Sequence, residues 1–196
     1  MRIDFDVLKQ WIPPSTRVLD LGCGSGSLLA ALADEKQVQG YGIEIDADKI
    51  ARCIERRVNV IEQNLDAGLG NFDDGSFDTV VMSQTLQAVR YPHTLVLDML
   101  RVGRECIVSF PNFGHWRCRL QVVLRGRMPV SNALPYTWYN TPNIHLCTVR
   151  DFEDFCRDKH IRIRDRRFIS AGQNDNRLSV LWPNMLCDTA IYRLSR

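Results

Sequence analysis

The sequence predicts an α/β fold, a mostly parallel sheet with helices on both faces. Short apolar runs alternate with longer amphipathic stretches over the first 110 or so residues, which is the rhythm of βαβ units. Two of the runs, RVLDL at 17–21 and FDTVVMS at 77–83, are nearly continuous apolar segments, as strands buried on both faces are. The first leads into a glycine-rich turn and then a Leu- and Ala-rich helix, the opening strand–loop–helix of a doubly wound sheet.

Taken in order, strands are expected at 17–21, 38–44, 58–62, 77–83 and 105–110, with helices between them at about 25–34, 47–56 and 93–102. The two buried runs belong at the centre of the sheet. The sixth strand, IRIRDRRFI at 161–169, alternates arginine with isoleucine and phenylalanine, so one face is wet or close to an edge. A seventh, LCDTAIYRL at 186–194, pairs with it as a hairpin, closing a seven-stranded sheet with an antiparallel last strand. The apolar run LSVLWP, within 170–185, has no place in this scheme. No repeat, low-complexity stretch or Gly/Ser linker divides the chain. One domain over 1–196 is therefore expected, carrying an insertion at about 111–150 between strand five and the helix before strand six.

Composition excludes several classes of function. No apolar run approaches the roughly 18 residues needed to cross a bilayer. The opening MRIDFDVLKQWIPP has acids and an early Pro pair where a signal peptide has a basic and then an apolar stretch, so a soluble cytoplasmic protein is expected. Seven cysteines, with no C-x-x-C pair, fit buried thiols in a reducing compartment better than a disulfide framework or a zinc knuckle. The four histidines lack H-x-x-x-H spacing, and no metal site is expected. The net charge of +2 hides an asymmetry: residues 1–99 hold 9 basic and 15 acidic side chains, residues 100–196 hold 16 and 8. Between Glu105 and Asp151 there are arginines and no carboxylate, which suits an anionic or acidic partner. Nucleic acid is a weak candidate for that partner, since no reader motif accompanies the modest pI of 8.2.

The turn after the first strand reads VLDLGCGSGSLLAAL, with Gly22, Gly24 and Gly26 at alternate positions. Glycines there admit positive φ and remove the Cβ atoms that keep a ligand from the backbone. The spacing is G-x-G-x-G preceded by Asp20, neither the dinucleotide G-x-G-x-x-G nor a P-loop with its lysine. Glu44 ends the second strand twenty residues beyond Gly24, where an acid can accept hydrogen bonds from both ribose hydroxyls. An adenosine derivative is the expected ligand.

Asp20 to Gly26, Glu44 and the stretch NLDAGLGNFDDGSFDTVVMSQTLQAV together resemble the class I S-adenosylmethionine-dependent methyltransferases over about residues 15–110. The resemblance implies their Rossmann-like fold and S-adenosylmethionine or S-adenosylhomocysteine as ligand. It places Asp66, twelve residues before Asp78, at the adenine amino group. The contact set so implied is Asp20, Gly22, Cys23, Gly24, Ser25, Gly26, Glu44, Ile45, Asp66 and Ser83, with Gln84 beside the methionine moiety. A sulfonium ligand has no phosphates, so the loop admits an amino-acid tail, and nearby carboxylates suit its positive groups.

Residues for methyl transfer are harder to find. No N-P-P-[YF] motif follows the fourth strand, and Gln84 and Gln87 cannot act as bases. His115 and His145 are the candidate bases, each equally readable as a hydrogen-bonded packing residue. The catalytic residues stay unassigned. The insertion carries Phe113, Trp116, Tyr136, Trp138 and Tyr139 and begins with an amphipathic helix-like stretch, features of a lid or a docking surface.

The strings FPNFGHWRCRLQVVLRGRMPVS, LPYTWYNTPNIHLCTVRDFEDFC and AIYRL are similar to the MetW family of methionine biosynthesis proteins. That resemblance implies a protein working with the homoserine O-acyltransferase MetX as an accessory or regulatory subunit. It does not by itself imply methyl transfer. A small-molecule methyltransferase is the alternative, and a nicotinamide oxidoreductase is disfavoured by the loop spacing.

Overall fold

The computed structural model describes residues 3–170 and 181–196. Its sheet contains β1 (Arg17–Leu21), β2 (Gln39–Glu44), β3 (Asn59–Glu62), β4 (Phe77–Ser83), β5 (Gly103–Pro111), β6 (Arg162–Ile169) and β7 (Thr189–Ser195). The spatial order is β3-β2-β1-β4-β5-β7-β6. The first five strands are parallel, and β7 runs antiparallel between β5 and β6. The chain winds outward from β1 to β3 and then returns to β4 on the other side of β1. Loops leaving the carboxyl ends of β1 and β4 therefore diverge, opening a crevice at the point of reversal.

Both faces are covered, and alternation along each strand decides which side chain serves which. On one face α1 (Ile3–Trp11), α2 (Ser27–Lys36) and α3 (Ala47–Glu55) pack Leu8, Trp11, Leu28, Leu29, Leu32 and Cys53 against Val18, Val81, Ile107 and Ile191. On the other, α4 (Pro92–Val102) and α6 (Val149–Asp158) set Leu95, Val96, Met99, Phe152 and Cys156 on Leu19, Val80, Met82, Val108, Phe110 and Tyr192. β1 and β4 are buried along nearly their whole length, as their composition requires.

Three local differences from the sequence reading have physical causes. The stretch Ile3–Trp11 forms a helix, α1, whose Asp4 accepts a hydrogen bond from the Ser83 hydroxyl at 2.8 Å. Its short amphipathic pattern ends at the Pro13–Pro14 pair and gives little local signal. β5 begins at Gly103, directly after α4, and the missing Cβ lets the backbone there approach Val80, whose Cγ2 would stand 2.6 Å from it. β7 begins at Thr189, since Pro183–Leu186 forms a helical turn, α7, closed by Cys187 N–H donating to the Pro183 carbonyl. The first half of LSVLWP, 178–180, lies outside the described residues; of the rest, Leu181 and Trp182 are exposed and Pro183 opens α7.

Between β5 and α6 the chain forms α5 (Trp116–Arg125) and then runs without strand or further helix to Thr148. α6 opens with a capping box, Thr148 and Asp151 bonding each other's backbone N–H groups. β6 is the sheet edge, with a register shift between Ile163 and Asp165 that discourages edge-to-edge pairing. Among the described residues no helix is long and apolar enough to cross a membrane.

Candidate functional site

Two cavities meet in the crevice at the carboxyl ends of β1, β2 and β4. One, of about 440 Å³, is lined by Gly22, Gly24, Glu44, Ile45, Asp66 and Gln84 among others. The second, of about 650 Å³, is lined by Asp4, Ser83, Tyr136, Asn143 and Asp188 among others. They share Gly22, Lys49, Gln84, Thr85 and Pro142. Both volumes fall in the usual range of small-molecule and cofactor sites.

The glycine loop is held from below. Gly22 and Cys23 donate backbone N–H bonds to the Ile43 carbonyl at 2.8 and 3.0 Å, tying the end of β1 to β2. Gly22, Gly24 and Gly26 all have positive φ, but only two of them are pressed by neighbours. A Cβ on Gly22 would stand 2.6 Å from Thr85 Oγ1, and one on Gly26 3.0 Å from Cys53 Sγ. A Cβ on Gly24 would meet nothing within 4 Å, so that glycine keeps the cavity side of the loop clear.

Glu44 is buried and does structural work. Its Oε2 accepts from Gly24 N–H at 2.9 Å, and its Oε1 from Ile45 and Asp46 N–H at 2.9 and 3.2 Å. A carboxylate has about four acceptor directions, so roughly one remains toward the cavity. A ligand diol meeting both oxygens would have to share or displace the Gly24 bond. Asp66 sits in a turn of 3-10 helix, Leu65–Ala67, capped by Asn64. Its Oδ1 accepts from Arg90 N–H at 2.7 Å, tying this turn to the segment after β4, while Oδ2 lies 3.9 Å from the Arg90 guanidinium.

The remaining expected residues divide by position. Ser83 lines the second cavity and donates to Asp4. Gln84, at φ 59°, borders both cavities, held in that strained conformation by its N–H donating to the Ser109 carbonyl at 2.9 Å. Asp20, Cys23, Ser25 and Gly26 lie outside both linings. Asp20 is buried in β1, opposite Gly42 and Val81 in the neighbouring strands. Cys23 turns beneath the loop, its sulfur 3.9 Å from that of Cys53, and burial pushes both thiols up, away from reactivity. The Ser25 carbonyl accepts from Arg56. Asp20 thus belongs to β1, and Cys23, Ser25 and Gly26 to the loop that follows it.

Residues missed in the sequence include Lys49, Gln63, Asn64, Thr85 and Pro142, all lining the smaller cavity. Asn64 had a signal, a capping residue two positions before Asp66. Pro142 had none, because it is brought in from the insertion. Among the described residues no group of three or more His, Cys, Asp or Glu could hold a metal.

Neither candidate histidine lines these cavities. His115 caps α5, its Nδ1 accepting from Arg117 N–H at 3.2 Å, with Nε2 3.9 Å from Asp188 Oδ1. His145 Nε2 lies 3.2 Å from the Arg90 carbonyl. Burial lowers the His115 pKa below its ordinary 6.5; the Asp188 carboxylate raises it and Arg117 lowers it. Because the folded value is depressed, the unfolded chain binds the extra proton first, and this contribution is present above pH 6.5 and lost as pH falls below it. His115→Asn keeps the capping acceptor and removes the titration. Its urea-unfolding free energy should lose less than the wild type's when pH is lowered from about 7 to about 5; parallel profiles would refute this.

The donor chemistry of the smaller cavity suits an adenosine compound: carboxylates for hydroxyl and amino donors, and a glycine-cleared floor. Solved structures agree at the level of fold. An S-adenosylmethionine-dependent methyltransferase from Mesorhizobium loti superposes with a TM-score of 0.70 at 15% identity, over 97% of this chain and 96% of that one. Phosphoethanolamine N-methyltransferase 2 of Haemonchus contortus, in complex with S-adenosyl-L-methionine, gives 0.69 at 14% identity, over 98% of this chain and 52% of that one. The fold is thus that of the class I methyltransferases. In sequence, the chain is 34% identical over its whole length to the bifunctional methionine biosynthesis protein MetXA/MetW of Rhodopirellula baltica, of which it spans 33%. Residues 2–194 match the family model described as methionine biosynthesis protein MetW, a match that takes in the insertion and the closing hairpin as well as the glycine loop, and the chain belongs to that family.

Proposed function

We propose that this protein binds S-adenosylmethionine or S-adenosylhomocysteine in the smaller cavity and acts, in the cytoplasm, as an accessory and regulatory subunit of the homoserine O-acyltransferase MetX. The observation that carries the ligand is the convergence of Gly22, Gly24, Glu44 and Asp66, from three separate segments, on one cavity at the reversal of strand order. When bound, S-adenosylmethionine supplies a sulfonium methyl group; the chain's own part is to hold the ribose at Glu44, the adenine amine at Asp66 and the amino-acid tail over the glycine loop. The partner is suggested by the Rhodopirellula baltica relative, a bifunctional protein whose name joins MetXA and MetW.

Regulation fits the position of the insertion. Pro142 lines the smaller cavity, and its neighbours Thr141 and Asn143 line an outer groove, so one segment runs between the proposed ligand site and an external surface. A segment that responds to both sides couples them, and the coupling is reciprocal. The test is calorimetry with S-adenosylmethionine, S-adenosylhomocysteine and NAD, with and without MetX, beside acyltransferase turnover with and without this chain. The expected result is binding of the adenosyl compounds, and a factor by which MetX shifts that affinity equal to the factor by which the ligand shifts MetX affinity. Absence of adenosyl binding, or unchanged acyltransferase turnover, overturns the proposal.

Asp66 offers a sharper arm. Asp66→Asn can keep the acceptor for Arg90 N–H but turns an NH₂ toward the adenine amine. Adenosyl affinity should fall by about 1–3 kcal/mol with little change in stability; wild-type affinity would remove Asp66 from the site. A second function, methyl transfer to a small molecule, is favoured by the roughly 650 Å³ of adjoining space at Ser83 and Gln84. Transfer of labelled methyl to an extract component, dependent on the protein, would establish it.

A further inference from the structure

α5 presents its apolar stripe to solvent. Trp116, Leu120, Val123 and Leu124 share one side at i, i+4, i+7 and i+8, and all four are exposed, Val123 by 79% and Leu124 by 71%. The helix contributes no residue to either hydrophobic cluster of the sheet. Its fold is nevertheless secured: His115 caps it, Arg119 Nε donates to the Gly114 carbonyl at 2.7 Å, and Gln121 bonds both N–H and C=O of Val130. That last pair lays the following segment along the helix, where exposed Met128 and Val130 extend the apolar surface. Beyond it lies the shallow groove lined by Met128, Pro129, Leu134 and Trp138, with Tyr139 against Trp138 in an edge-on contact. Such a continuous exposed apolar surface marks an interaction site.

Charge selects the occupant. Arg117 and Arg119 flank the stripe on the helix, Arg125 and Arg127 follow at and just beyond its end, and none of the four forms an ion pair with a carboxylate among the described residues. The chain from 106 to 150 contains no acid at all. A second copy would bring four arginines against four of its own, which is repulsive. A partner with an apolar groove bordered by Asp and Glu is complementary in both respects.

Resting on the function proposed above, we infer that the α5 stripe and the adjoining groove are the face on which MetX docks, through an acid-bordered apolar surface of its own. Trp116 and Trp138 are then the aromatic anchors, and the arginines supply orientation and salt dependence.

The test measures binding of the full chain to purified MetX by interferometry at low and high salt. Val123→Asp with Leu124→Asp should weaken binding at least 30-fold, with circular dichroism and adenosyl affinity unchanged because both side chains are exposed. Arg117→Glu with Arg125→Glu should weaken it at least 10-fold and flatten its salt dependence, while Arg125→Lys retains it. If wild type binds MetX and the aspartate and glutamate variants bind equally well, the docking face is wrong and the partner stands. If wild type does not bind MetX, the proposed function itself fails, and the docking face with it. A wild-type dimer in sedimentation that Val123→Asp dissolves would assign the face to a second copy and overturn the inference.

Discussion

Glu44→Ala should damage the protein twice, lowering its unfolding free energy by about 1–3 kcal/mol and its affinity for S-adenosylmethionine by a similar amount. The double effect follows from the hydrogen bonds. The carboxylate accepts from Gly24 on the glycine loop and from Ile45 and Asp46 just before α3, so it ties together two segments that border the smaller cavity. Glu44→Gln keeps acceptor capacity at one oxygen and should recover part of the stability while remaining weak in binding. Urea titration separates the first loss and calorimetry the second. An alanine variant with wild-type stability would show that the three N–H groups are satisfied equally well by water, and one with wild-type affinity would take Glu44 out of the ligand site.

Gly22→Ala should cost still more, about 2–5 kcal/mol. Two independent terms add. The residue has φ 72°, where a non-glycine side chain costs about 1–2 kcal/mol. Its new Cβ would also lie 2.6 and 2.8 Å from Oγ1 and Cγ2 of Thr85, an overpacking worth about 1–3 kcal/mol. The terms can be separated by a double-mutant cycle with Thr85→Ala, which removes both close atoms and leaves Thr85 Cβ at 3.2 Å. The double variant should regain the steric part and keep the backbone part. Additivity within about 0.5 kcal/mol would mean that Thr85 does not press on Gly22. Gly24→Ala is the contrast: its methyl group meets nothing within 4 Å, so only the backbone cost applies to folding, and the loss should appear in ligand affinity.

How much could be read before folding is best judged at particular residues. Gly22, Gly24 and Glu44 were legible from spacing along a βαβ unit, since the carboxyl ends of adjacent parallel strands fall side by side, whereas Ile45 and Asp66 came only with the family resemblance; all five line the smaller cavity. Cys23 and Ser25 belong to the same motif yet lie outside the cavity lining, the Cys23 sulfur packing beneath the loop beside Cys53. Asp4 and Pro142 border the cavities from a short helix and from the insertion, and no local pattern in those segments announces it. The histidines show the same limit. Their polar, aromatic surroundings in sequence resembled those of a base, whereas His115 is occupied as a helix cap and His145 rests on the Arg90 carbonyl.

By itself the sequence determined the sheet, its central strands, its antiparallel closing hairpin and the glycine loop that borders the cavities, because each follows from short-range periodicity, glycine placement and the handedness of parallel connections. Only the tertiary structure decided that α1 caps the crevice through Asp4, that one insertion borders both the larger cavity and an outer groove, and that α5 turns its apolar stripe outward. An amphipathic period states that a helix has an apolar side. What that side faces depends on which neighbours arrive from elsewhere in the chain, and around α5 the sheet's two faces were already filled by α1 to α4 and α6.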